Sequence, residues 1–223
     1  MSADGGSIAA IADALADTFP GCEDAPLTLA LVRELARAEP VATTTLATLT
    51  GRGETEVNAL LGRWPTVQRD EHGRVVAFSG LSLPPTPHGF EVDGRQLYAW
   101  CAWDTLFLPA MLGAPARVRS RCPVTGAAVR LAVALNGVRA AEPDELAVSF
   151  PPADAVSSAD ITGSFCCHVH FLAGPHAAEQ WRADHPASVV LALDDAFELG
   201  QRATRRCRPA TLAPPEQVTL EAM

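Results

Sequence analysis

The sequence predicts an α+β protein: a winged-helix-like helical module over residues 1–80, then a mixed core of antiparallel strands flanked by helices over 81–208. A flexible tail, 209–223, closes the chain. Three observations predict this. Apolar residues recur at helical spacing up to Arg63, and period-two alternation around turn residues marks hairpins at 66–79 and 116–134. Between the two regimes, Leu81–Pro87 holds three prolines in seven residues and reads as a linker. With 223 residues and 48% hydrophobic content, the chain can bury one sizeable core with a smaller module appended.

Residues 7–17 read as a short helix with Ser7 as N-cap. Leu27, Leu29, Leu31, Val32 and Leu35 give a helix over 26–38 that must end before Pro40. Shorter helices follow at Thr43–Leu49 and Glu54–Arg63, the latter carrying Val57, Leu60 and Leu61. Thr66–Ser79 alternates around Glu71-His-Gly73 as a β-hairpin. Past the prolines, Gly89–Arg95 is a strand with an Asp-Gly turn, and a helix is predicted from about Leu97 to Leu112. Ala116–Arg121 and Ala127–Ala134 flank Pro123-Val-Thr-Gly126 as a second hairpin. Strands follow at Leu146–Phe150 and Ser164–Leu172, then a helix at Pro175–Ala183 with proline at its first position. A buried-type strand at Val189–Leu193 and a helix at Asp194–Arg206 complete the core.

Three helices and a hairpin invite a DNA-binding reading, which the charge opposes. The net charge is −9, all 17 basic residues are arginine, and the third helix begins Glu54-Thr-Glu56. The module is therefore expected to be structural or partner-docking, with no nucleic-acid partner. The absence of lysine excludes Schiff-base and P-loop lysine chemistry. No segment reaches the roughly 20 apolar residues that span a bilayer, and Met1–Gly6 lacks a basic leader. The six cysteines form no C-x-x-C pair. Neither a disulfide scaffold nor a standard zinc site is written there, so reduced thiols in the cytoplasm are expected.

The chemistry concentrates at Cys101 and Asp104. On the predicted helix, positions i and i+3 share a face, and Trp100, Trp103 and Phe107 make the space around it apolar. A lone buried cysteine beside a surface aspartate would be unremarkable; a second thiol changes that. If Ser164–Leu172 is a strand, Cys167 shares the core face with Phe165, Val169 and Phe171. Cys166 then shares the polar face with His168 and His170. Cys166 is thus the better candidate for chemistry, and Cys167 is a packed bystander or secondary thiol. A Cys/His zinc site at 166–170 is the rival, but it lacks a fourth ligand at short spacing. Cys122, in a tight turn, reads as structural. Cys22 and Cys207 look incidental, and His72, His88, His176 and His185 are placed in turns or on helix surfaces.

Phe90–Leu106, Arg119–Gly126 and Ser164–Phe171 together resemble the organomercurial (alkylmercury) lyases of bacterial mercury resistance, in the same order and with the cysteines in register. The resemblance spans nearly the whole chain apart from the tail. It implies a catalytic pair Cys101 and Cys166, a catalytic carboxylate Asp104 and a structural cysteine at Cys122. Trp103 departs from the smaller aliphatic residue usual there. The implied activity is protonolysis of carbon–mercury bonds with no organic cofactor or resident metal. Hg(II) would be held only as product, by Cys101, Cys166 and Asp104. External cytosolic thiols and a mercuric reductase are the implied acceptors. The competing readings are a winged-helix soft-metal sensor and a thiol metal carrier.

Overall fold

The computed structural model describes residues 21–207. The helix expected at 7–17 and the tail from 209 lie outside the described residues. Three helices come first: α1 (Ala25–Leu35), α2 (Thr43–Thr50) and α3 (Glu54–Arg63). Asp24 starts α1, its side chain accepting the Leu27 N–H at 3.2 Å. Pro26 occupies the first turn, where a missing N–H costs nothing. Leu27, Leu31, Val32 and Leu35 then form one wholly buried stripe. Each such leucine contributes about 1.5–3 kcal/mol of burial. Arg52, just past α2, pairs with Asp24 and so ties the start of α1 to the end of α2.

The helices rest on an eight-stranded antiparallel sheet. Its strands are β1 (Gln68–Arg69), β2 (Val75–Phe78), β3 (Leu81–Ser82), β4 (His88–Val92), β5 (Arg95–Ala99), β6 (Ala116–Arg121), β7 (Ala128–Ala134) and β8 (Gly137–Glu142), in the spatial order β1-β2-β3-β5-β4-β6-β7-β8. Both predicted hairpins are present. Two expectations are corrected. Leu81–Ser82 is not linker but a buried strand, because Phe78 pairs with Leu81 across a two-residue turn and Leu81 pairs onward with Ala99. The prolines begin only after it. The sheet accordingly runs without a break past residue 80. Leu97 belongs to β5, not to a helix, since Phe90–Val92 pairs with Arg95–Leu97 in a hairpin turning at Asp93-Gly94. Strand β8 was not anticipated.

A second sheet sets β9 (Leu146–Phe150) between β10 (Phe171–Ala173) and β11 (Val189–Ala192). The remaining helices are α4 (Asp104–Leu112), α5 (Ile161–Ser164), α6 (Pro175–Asp184) and α7 (Leu193–Ala203). Helix α4 packs on α7, α1 and β7. Every residue from Asp104 to Met111 is buried, so α4 is the central rod of the core. Cys207 also departs from expectation. It is fully buried and disulfide-bonded rather than a reduced, incidental terminal thiol.

Candidate active site

Strand β5 delivers the chain into a tight turn, Trp100–Trp103, before α4 begins at Asp104. Cys101 therefore lies in the turn and not on the helix. The proximity expected from one-turn spacing is still achieved, by other means. The Asp104 carboxylate reaches back, and its Oδ2 accepts the Cys101 N–H at 2.9 Å. Two further bonds anchor the turn on either side. Trp100 N–H donates to the Gly80 carbonyl at 2.9 Å, and Ala102 N–H donates to the Val169 carbonyl at 3.3 Å. The second of these brings the 166–169 segment against Cys101.

That segment is not a strand. Asp160 caps α5 through the Gly163 N–H at 3.0 Å, and the chain then makes a 3-10 turn over Cys166–His168. The bonds His168 N–H to Phe165 O (2.9 Å) and Val169 N–H to Cys166 O (3.2 Å) close it. Strand pairing with β9 starts only at Phe171. In a 3-10 turn, successive side chains point about 120° apart rather than to opposite faces. Cys166 is consequently buried and Cys167 exposed, which reverses the core-face placement expected for Cys167. His168 is exposed and His170 half-buried. Neither joins Cys166 in a metal-binding group.

The group that does form is Cys101, Asp104 and Cys166, all buried, with one ligand atom from each lying within 4.8 Å of the others. Among the described residues it is the one such set of three or more His, Cys, Asp or Glu side chains. Burial dominates its electrostatics. It pushes the Asp104 carboxyl up to about 7, although the thiol and N–H of Cys101 both pull the other way. Burial likewise pushes the Cys101 thiol well above its ordinary range, helped by its bond to Cys166 and the charge of Asp104. Cys166 is drawn down by the hydrogen bond from Cys101, but burial and the neighbouring Asp104 charge leave it raised. At neutral pH both thiols are protonated, and Asp104 is divided between its acid and its base.

An aromatic cluster holds the two thiol-bearing segments together. Trp103 lies edge-on to Phe107 (5.0 Å), Phe150 (6.0 Å) and Phe165 (5.8 Å). Its indole N–H donates to the Ala196 carbonyl at 2.9 Å. Trp103 and Phe107 are buried, whereas Trp100 is partly exposed. Cys122 lies apart, in a smaller cluster with Leu172, Ala177 and Trp181. Burial would raise its thiol, but hydrogen bonds from Thr125 and from the backbone of Ala173 and Val124 leave it below the ordinary thiol value. These bonds tie the β6–β7 turn to β10. His88 is not in a turn or on a helix surface, as the sequence suggested. It is buried in β4, 2.9 Å from the Ser120 hydroxyl, and desolvation, aided by His170, lowers it to about 4. The alternation His88, Phe90, Val92 was the signal that could have found it.

A family model described as alkylmercury lyase matches residues 81–205, and one for the helix-turn-helix domain of alkylmercury lyase matches 8–79. The alkylmercury lyase of Staphylococcus epidermidis is 46% identical over 171 residues, 77% of this chain and 78% of that protein. The Pseudomonas putida alkylmercury lyase is 44% identical over 190 residues, covering 85% and 88%. The Streptomyces lividans alkylmercury lyase is 45% identical over 174 residues, covering 78% and 80%. In fold, the chain is similar to the crystal structure of the mercury-bound form of MerB2, with a TM-score of 0.72 at 23% identity over 91% of this chain and 100% of that one. The chain belongs to the alkylmercury lyase family, and it is an organomercurial lyase.

Proposed function

We propose that the enzyme cleaves alkyl- and arylmercury compounds by protonolysis, with Cys101 and Cys166 as mercury ligands and Asp104 as the proton carrier. One observation carries this reading. Two thiols and one carboxyl that titrates near 7 share a buried space within 4.8 Å.

The chemistry follows from softness and burial. Mercury prefers thiolate over carboxylate, so it displaces the thiol proton where a harder cation would not. R–Hg–X and the Cys101 thiol give Cys101–S–Hg–R and HX. The Cys166 thiol then adds its sulfur to mercury and passes its proton to the Asp104 carboxylate. The second thiolate raises electron density on mercury and on the attached carbon. Asp104, now a neutral acid beside that carbon, donates the proton and breaks the C–Hg bond. R–H leaves, Hg(II) remains between Cys101 and Cys166, and Asp104 is again a carboxylate. Protons and charge balance without an organic cofactor or resident metal. An acid near 7 suits a step that must both take and give a proton at neutral pH.

External thiols would extract Hg(II), with a mercuric reductase in the cytoplasm as the eventual acceptor. Among the described residues, no helix is long and apolar enough to cross a membrane. A DNA-binding sensor is disfavoured because α3 opens with Glu54 and Glu56 and carries its one basic residue, Arg63, at its far end. Incubation with phenylmercury and excess thiol, assayed for benzene, tests the reading. Sustained benzene release is expected, and mercury binding without benzene would leave a carrier.

A further inference from the structure

We propose that the β2–β3 turn, Ser79-Gly80, is a positioning device for Asp104, so that the strand leaving the N-terminal module supplies one wall of the active site. This inference rests on Asp104 as the proton carrier. Its basis is a close approach. A Cβ on Gly80 would lie 2.5 Å from the Asp104 Cγ, 2.6 Å from its Oδ1 and 2.9 Å from its Cβ. The carboxyl itself fills the space that a methyl group would take. One face of the acid is thereby closed by backbone, while its Oδ2 holds the Cys101 N–H. The Gly80 carbonyl meanwhile accepts the Trp100 N–H, at 2.9 Å, fixing the turn to the residue before Cys101.

The turn cannot swing away. Hairpin turns usually lie at the surface, yet here every residue from Ala77 to Ser82 is buried. It also carries strain. Ser79 sits at φ 50° and Gly80 at φ 89°, and only Gly80 is free of a Cβ penalty there. The Ser79 hydroxyl is buried without a hydrogen-bond partner among the described residues. Strain and an unsatisfied group, retained against the carboxyl, fit a site constraint better than an ordinary connection.

The molecule contains its own control. Asp93-Gly94 turns β4 into β5 with φ 50° and 72°, is exposed, and has nothing within 4 Å of the Gly94 Cβ position. Gly94→Ala adds backbone strain without the collision; Gly80→Ala adds both. With phenylmercury, Gly80→Ala is expected to bind one equivalent yet release benzene roughly a hundredfold more slowly, as misplacement by about 1 Å predicts. Gly94→Ala should keep kcat within about twofold, since it touches nothing that reacts. Equal kcat in the two variants would overturn the proposal.

Stability gives a readout independent of activity. The loss in urea midpoint on Gly80→Ala should shrink toward that of Gly94→Ala when Asp104→Ala removes the two closest atoms and leaves only the Asp104 Cβ, 2.9 Å away. Folding of the double variant where Gly80→Ala alone fails would support the contact. Equal losses in both backgrounds, or failure of both to fold, would overturn it. Absence of benzene from the wild type would instead sink the lyase mechanism and leave this stability comparison standing.

Discussion

The two thiols of the site come from opposite kinds of scaffold. Cys101 hangs between β5 and helix α4, buried from Asp104 to Met111, with its N–H held by Asp104. Cys166 sits in a 3-10 turn between a four-residue helix and a three-residue strand, next to the exposed Cys167. On the proposed mechanism, the first segment holds the proton carrier in one place. The second is held by Ala102 to Val169, by Ser149 to the backbone of His168 and His170, by the bond between the Cys101 and Cys166 thiols, and by Phe165 against Trp103 and Phe150. On that mechanism, the difference sets the acid at the head of the central helix and leaves the second mercury ligand, though buried, on a segment made of short elements.

The largest effects should come from removing either thiol, which would break the comparison if one segment were dispensable. Cys101→Ala and Cys166→Ala are each expected to lose roughly a thousandfold or more in benzene release, because groups that act as a unit fail together. Steady-state assay of the two variants checks this.

Next is Asp104→Asn, expected to capture phenylmercury but slow benzene release by about 10²–10⁴-fold, the usual worth of a general acid. It should also stabilise the protein at high pH. The folded carboxyl titrates near 7, above its unfolded value of 3.8, so the native state keeps a proton that the unfolded chain releases. Stability therefore falls as pH rises from about 4 to about 7, by about 1.4 kcal/mol for each pH unit crossed, and asparagine removes that loss. Urea unfolding at pH 5 and pH 8 reads the sign. Wild-type kcat/KM should in turn rise through about 7 as the carboxylate that accepts the thiol proton forms.

Cys122→Ala should cost about 1–3 kcal/mol by orphaning the N–H and hydroxyl donors that converge on its sulfur, with turnover per folded molecule unchanged. The smallest effect belongs to Cys167→Ala: turnover within about twofold, since Cys167 is exposed and stands outside the buried group of Cys101, Asp104 and Cys166, and a stability change under about 0.5 kcal/mol.

The Cys101 segment was legible because its residues are local: thiol and acid are three positions apart amid apolar neighbours, and that spacing survives the change from helix to turn. The Cys166 segment misled because Phe165, Cys167, Val169 and Phe171 mimic period two. The i to i+3 bonds that fold it instead depend on Asp160 capping α5, a local signal weaker than the alternation. Cys166 was still the thiol that reaches Cys101, although a turn and not a strand face puts it there. Gly80 was not readable at all. Its meaning lies in a contact with Asp104 that only the β3–β5 pairing creates.

The most direct test loads wild type and Asp104→Asn with one equivalent of phenylmercury, without external thiol, and follows benzene in a single turnover. Wild type should release one benzene per site and keep Hg(II) bound, while Asp104→Asn holds the intact organomercurial. Equal rates from the two proteins would contradict the assignment of Asp104 as the proton carrier.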